Sequence, residues 1–361
     1  MDQQDINIVG AGPSGFAAAI VLAKAGKNVI IHEKHDVVGK RFQGDLQGLE
    51  NWSTKEDVLE IFQSFGINTN FHKTPFKQVT FTDGKRSPSS SSSEPLFYLV
   101  KRGTSQDTLD TALCKQAEEC GVNIKYYSRY PLEKADIIAT GPMRTSTVAM
   151  DKGLVFSTDH PDIAVGIFGD ELAHLGYSYL LVTQGYGCIC TVVFKDFQTL
   201  NPCFEKTLEF IKKRYGIHVD QKIPVGGLGS FTYNHPAQLG SARLVGEAAG
   251  LQDLLWGFGI RTAITSGFLA AQSILHQTDY PSMLKKQLDS GQKAGLVNRY
   301  IWEKMKYNSY PFLPYFAYLP ISIRTLFRLL YQFSPIHRLL FPYAIDYIKQ
   351  EYPFCLEQEN E

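Results

Sequence analysis

Ile6-Asn7-Ile8-Val9-Gly10-Ala11-Gly12-Pro13-Ser14-Gly15 joins a short apolar strand to a glycine-rich turn. Phe16, Ala19, Ile20, Leu22 and Ala23 then recur at helical spacing as far as Gly26, and a second strand, Asn28–His32, ends at Glu33. Strand, glycine turn, helix, strand and acid in this order form a dinucleotide-binding unit. Gly10 permits the tight turn, Gly12 lets backbone approach a pyrophosphate, and Gly15 allows helix and strand to pack closely. The helix start, Pro13-Ser14, offers free N–H groups and a positive dipole end to phosphate. Glu33 lies 18 residues past Gly15 and can accept both hydroxyls of an adenosine ribose. A carboxylate there disfavours a 2′-phosphate, which leaves FAD or NAD.

Two later segments bear on that choice. Ala135-Asp136-Ile137-Ile138-Ala139-Thr140-Gly141 has the pattern of a short buried strand ending in glycine. Val245-Gly246-Glu247-Ala248-Ala249-Gly250 and Leu254-Leu255-Trp256-Gly257-Phe258-Gly259-Ile260 lead into a helix with small or apolar residues at 260, 263, 264, 267, 268, 271, 274 and 275. Each segment alone also fits an ordinary turn.

In their order along the chain, GAGPSG with Glu33, the ATG of residues 139–141 and GEAAG…GFGI…SGFLAA resemble the FAD-dependent reductase and hydroxylase superfamily. Within it the chain most resembles the geranylgeranyl reductases, over roughly residues 5–275. The resemblance implies an α/β fold: a doubly wound, Rossmann-type FAD domain with an inserted α+β substrate part on an antiparallel sheet, and a helical C-terminal cap. The expected division is residues 1–54, 102–150 and 240–280 for FAD, 55–101 and 151–239 for substrate, and 281–361 as the helical region. It implies that Gly10, Gly12, Pro13, Ser14 and Gly15 face the pyrophosphate and Glu33 the ribose. Lys34, Lys40, Arg41 and Gly44 lie in the loop after this acid, Arg102 starts the helix expected over about 105–120, and Gly141 ends the middle strand. Gly246-Glu247 matches a Gly-Asp pair that holds the ribityl chain, and Gly257-Phe258-Gly259-Ile260 would lie against the isoalloxazine.

The chain also departs from that family. Gln43 stands where a cysteine is common, and Tyr177-Ser178-Tyr179 keeps only the first aromatic of a substrate-pocket signature; Gln43, Tyr177 and Tyr179 are the expected pocket residues. No residue type and spacing singles out a catalytic acid. A second strand–glycine turn–helix unit is missing, so NAD(P)H at a transient site or a reduced protein carrier is the expected electron donor. The expected reaction is hydride transfer to a carbon–carbon double bond of an isoprenoid or other lipid-like molecule. The alternatives are a flavin-dependent monooxygenase or halogenase, and a flavin- or lipid-binding protein without turnover.

Composition narrows the rest. The 36 basic and 36 acidic residues cancel, so no global field draws the chain to nucleic acid. Six cysteines at 114, 120, 188, 190, 203 and 355 form no C-x-x-C pair, and no metal site is expected. Cys188 and Cys190 share a strand face and read as packing residues rather than a redox pair. The N-terminal residues lack signal-peptide features and no apolar run reaches about 18 residues, so a cytoplasmic protein is expected. Gln78–Thr82 and Leu96–Lys101 are expected to form a hairpin, with the serine run 87–93 as a solvent-facing loop between them. Lys304 to Ile345 contains no acid, many aromatics and five prolines. Ile323–Tyr331 forms an amphipathic helix with Arg324 and Arg328 side by side, which suits either a membrane surface or a cap whose arginines are paired internally. Oligomeric state is left open.

Overall fold

The computed structural model describes residues 5–142, 147–234, 236–305 and 321–353. The chain runs β1 (Ile6–Val9), α1 (Pro13–Lys24), β2 (Val29–His32), β3 (Leu46–Glu50), α2 (Val58–Ser64), β4 (Lys73–Phe76), β5 (Gln78–Thr82), β6 (Ser89–Ser91), β7 (Phe97–Lys101) and α3 (Leu109–Glu119). It continues through β8 (Asn123–Lys125), β9 (Ile137–Ile138), β10 (Thr147–Ser157), β11 (Ile163–Ile167), β12 (Tyr177–Thr183), β13 (Tyr186–Val193) and α4 (Leu200–Tyr215). Last come β14 (Asp220–Ser230), β15 (Gln238–Leu239), β16 (Ala242–Leu244), α5 (Ile260–His276), α6 (Tyr280–Lys304), α7 (Ile323–Leu330) and α8 (Pro335–Glu351).

The first sheet has the order β15-β16-β9-β1-β2-β8 and is parallel apart from the β15–β16 pair. Its central strands carry Ile8, Ile31 and Ile137 into a core shared with Phe16, Ile20 and Leu22 of α1. α1 is buried from Ser14 to Leu22, as expected of a helix between a parallel sheet and a second helical layer. That second helix is α5, and Gly267 makes the approach possible: a side-chain carbon there would collide with the Ser14 carbonyl. Val58, Phe62, Ile67 and Phe71 also join this core. Residues 58–71 thus pack with the nucleotide domain, although the sequence assigns them to the substrate part.

The second sheet, β14-β10-β13-β12-β11-β5-β6, is antiparallel except where β5 lies parallel to β11. Period-two alternation divides its two faces. Phe156, Ile167, Leu180, Val182 and Ile189 meet Phe204 and Ile211 of α4 on one side. Val155, Tyr179, Leu181 and Cys188 meet Trp52, Phe258 and Phe327 on the other. β3, β7 and β4 form a small third sheet.

The expected hairpin is corrected here. Ser89–Ser91 in the serine run form β6 and pair with Gln78–Thr80, while β7 pairs with β3 and β4 instead. Backbone hydrogen bonding to β5 and the Thr80–Ser89 hydroxyl contact, 2.8 Å, hold the run in the sheet, and Ser90 is buried.

α7 covers the aromatic side of the large sheet, and Arg324 is buried. It donates to the carbonyls of Asn51, Thr54 and Lys55 and pairs with Glu94. Arg299 is fully buried: it pairs with Glu303 at 2.6 Å, lies 3.6 Å over the Phe194 ring and donates to Leu175 and Tyr352. Tyr347, Tyr352 and Lys195 also converge on Glu303, so this knot ties α6 and α8 to the sheet. The Arg299 charge holds the Glu303 carboxyl down at about 2 against the opposing effect of burial. Among the described residues no helix is long and apolar enough to cross a membrane. Lys306, the aromatic run 307–319 and Cys355 lie outside the described residues.

Candidate functional site

The glycine turn brings four separated segments together. Gly10 has φ +108° and no room for a side chain, because Ala139 crosses against it. A side-chain carbon at Gly15 would collide with the Gly10 carbonyl, whereas the space beside Gly12 is open to 4 Å. Gly141, at φ +78°, is equally open. Gly246 packs on Ser14, where a side-chain carbon would lie 2.8 Å from the hydroxyl, and its N–H donates to Ser266 Oγ. Glu33 is buried at the end of β2, one oxygen accepting from the Ala11 N–H at 3.0 Å and the other from the His35 N–H at 2.9 Å. The acid is thereby fixed beside the turn.

Two helices that start here differ from most of the others. α2, α3, α6, α7 and α8 are capped by the side chains of Asp57, Thr108, Asp279, Ser322 and Ser334. α1 and α5 begin at Gly12 and Gly259 without a side-chain cap, so their first N–H groups are left for a ligand. Gly12 also leaves room for it.

The basic residues expected at the cofactor separate into three kinds. Lys34 is exposed, and Lys40 pairs with Asp36 at 2.6 Å on the surface. Arg102 is buried and forks onto Asp110 at 2.9 and 2.8 Å, with a further bond to Gln47 and its face on Phe42. Its guanidinium anchors the first turn of α3 to the loop that carries Gly44. Arg41 reaches the corner itself, bonding Glu247 at 2.7 Å and the Leu228 carbonyl at 2.9 Å. Gln43 is exposed and its N–H donates to Asp45.

The Gly257–Ile260 loop is organised by a residue the sequence did not single out. Asp253 accepts from the N–H groups of Leu255 and Trp256 and from the Tyr331 hydroxyl at 2.7 Å. Burial pushes its carboxyl up to about 6. The Tyr177 hydroxyl donates to the Trp256 carbonyl, which brings an expected pocket residue against the expected ring-facing loop. Tyr179 stacks beside Tyr177 at 6.3 Å. Phe258 lies over Gly48 and meets Trp52 edge-on at 4.7 Å.

Between this loop and the large sheet Trp52, Tyr179, Phe258, Phe327 and Tyr331 pack as an aromatic cluster. Asp151 of β10 is the acid on its sheet side, next to Gly227, which would place a side-chain carbon 3.1 Å from Asp151 Oδ1 and 3.9 Å from Arg41. Cys190 Sγ donates to Asp151 Oδ2 at 3.6 Å. Burial pushes Asp151 up to about 6; the Asp45 charge adds to this and Arg41 opposes it. Burial also lifts the Cys188 thiol to about 12 and raises Cys190, Tyr177 and Tyr179. These thiols are packing groups, not nucleophiles. The alternation Ala149, Asp151, Gly153, Val155 did carry a signal, since it puts an acid on an otherwise small and apolar face.

FAD fits these residues. Trp52 Nε1, Trp256 Nε1 and Arg261 Nη1 are buried donors without a partner, all on or against the Gly257–Ile260 loop. Leaving each unmet costs roughly 1–3 kcal/mol, and the polar edge of a bound ring would offset it. Among the described residues no group of three or more His, Cys, Asp or Glu side chains is placed to hold a metal ion.

Residues 3–138 match the FAD binding domain family. A thiamine thiazole synthase from Thermococcus kodakarensis is 44% identical over 66 residues, which is 18% of this chain and 26% of that protein. The chain thus spans about a quarter of the length of the curated relatives it matches first. Among solved structures, a geranylgeranyl bacteriochlorophyll reductase-like protein from Thermoplasma acidophilum superposes with TM-score 0.69 at 18% identity, covering 96% of this chain and 98% of that one. The flavin-dependent brominase Bmp2 superposes with TM-score 0.66 at 15% identity, covering 96% and 100%. The family match covers the N-terminal part of the chain, and the chain shares its overall fold with the reductase-like protein and the brominase.

Proposed function

We propose that this FAD-dependent oxidoreductase reduces a carbon–carbon double bond in an apolar, lipid-like substrate. The observation that carries this reading is the aromatic cluster with a half-buried acid, Asp151, on the sheet face it covers. Bound FAD, once reduced by NAD(P)H or a protein carrier, supplies the hydride. The open turn at Gly12, the starts of α1 and α5, Glu33 and the Arg41–Glu247 corner hold the cofactor. Trp52, Phe258, Phe327 and Tyr331 exclude water and offer apolar surface to a hydrocarbon chain. Reduction of an alkene needs a proton at the second carbon as well as the hydride at the first. The Asp151 carboxyl holds that proton, because a carboxyl lifted to about 6 stays partly protonated near neutrality. The carboxylate left behind regains its proton from solvent, so the acid returns to its starting state.

The testing experiment is anaerobic reduction of the purified yellow protein, followed by addition of polyprenyl lipids of graded length. Reoxidation without oxygen, with a saturated product two mass units heavier per double bond, is expected. The oxygen-using alternative draws support from the fold shared with the brominase. It predicts that reoxidation waits for O₂ and that oxygen uptake is coupled to product; that outcome would replace the first reading.

A further inference from the structure

We infer that the outer surface of α7 and α8 docks on an anionic lipid surface. Ten large apolar side chains are exposed among the described residues, and five of them, Ile321, Leu329, Ile336, Leu339 and Tyr343, fall within residues 321–343. That concentration is far above what scattered surface apolar residues require. On α8, Ile336, Leu339 and Tyr343 share one face by their i, i+3, i+7 spacing and are 67%, 71% and 61% exposed. His337, Ala344 and Ile348 occupy the opposite face and are buried toward the sheet and α6. α8 is therefore apolar toward the protein and, over its first two turns, apolar toward solvent as well. A helix with two apolar faces at the edge of a molecule calls for a second cover.

Charge identifies the cover. The whole chain is neutral, yet residues 304–345 contain no acid. Arg324 is spent inside the protein on Glu94 and three carbonyls, which removes it from the surface. Arg328, one turn later, and Arg338, exposed beside the α8 stripe, have no ion-pair partner among the described residues. Apolar side chains flanked by these arginines match an interface of acyl chains beneath anionic headgroups. The helices would lie on that surface, since neither is long and apolar enough to cross it. A lipid-like substrate would then reach the aromatic cluster from the side that α7 covers.

The full chain should be tested by flotation with vesicles of phosphatidylglycerol and phosphatidylcholine, with pure phosphatidylcholine vesicles as the comparison. We expect flotation with the anionic vesicles at low salt, release at high salt, and little with the neutral ones. The double variant Ile336→Asp, Leu339→Asp should lower the bound fraction about tenfold and Arg338→Glu about threefold. Leu239→Asp, an exposed apolar site elsewhere, should float like the parent. Circular dichroism and retained yellow colour check that each variant is folded. Failure of the parent to float at low salt overturns the inference, as does undiminished flotation of the double variant. A lipid-free dimer that Leu339→Asp dissociates also overturns it, because a second copy would then be the cover. Flotation does not depend on catalysis, so its failure is distinct from failure of the proposed reaction.

Discussion

The nucleotide turn and the aromatic cluster are built from different material. The turn is made of backbone: Gly10, Gly12, Gly15, Gly141 and Gly246 act through the side chains they lack. The cluster is made of side chains, with Trp52, Asp151, Asp253, Phe258 and Tyr331 drawn from four distant parts of the chain. In the proposed function the wall of glycines holds FAD and the wall of side chains selects the substrate. Damage to the two walls should therefore have separable consequences.

The largest effect is expected apart from both, at the Arg299–Glu303 knot. Glu303→Gln leaves the Arg299 charge buried without its partner and should cost about 3–5 kcal/mol. The thermal melt should drop, while the fraction of protein still holding flavin at low temperature stays the same. The native carboxyl sits near 2 rather than its ordinary 4.5, so its contribution, about 3 kcal/mol, is complete above 4.5. It is lost as pH falls from there through 2. Urea melts between pH 6 and 2.5 should show this acid sensitivity in the parent, and much less of it in Glu303→Gln.

Next in size is Asp151→Asn, which should lower substrate reduction about 10²–10³-fold with flavin retention and flavin reduction unchanged. In the parent, turnover should fall as pH rises through about 6, because a donor must carry its proton, and the variant should lose this dependence. Gly12→Asp probes the other wall. The site is sterically open, so the fold should survive, and a carboxylate at the start of α1 should weaken FAD binding about 100-fold. If Gly12→Asp kept its flavin while Asp151→Asn lost it, the division of labour would be reversed. The smallest effect is expected from Tyr331→Phe, which takes one donor from Asp253 and leaves the two N–H donors in place. A destabilisation of about 1 kcal/mol and a shifted flavin spectrum should follow.

The same contrast governs how much the sequence reveals. Glycines that permit a turn must sit at fixed spacing, so Gly10, Gly12, Gly15 and Glu33 were legible together, and Gly246 and Gly257 followed from chain order. β-Pairing partners are set by contacts remote in sequence, which is why Ser89–Ser91 looked like a loop and β7 looked like half of the wrong hairpin. Arg102 matched a cofactor position, yet Asp110, one helix start later, takes its two-pronged bond. Nothing in local spacing marks Trp52 or Tyr331. The two readings of the C-terminal arginines turned on individual residues: Arg324 is paired inside, and Arg328 is left without an ion-pair partner among the described residues.

Asp253 receives the hydroxyl of a residue 78 positions downstream. During synthesis the loop before α5 therefore lacks one of its ties until the ribosome has made α7. Loading the prosthetic group into the finished polypeptide should accordingly be slower than loading it during refolding.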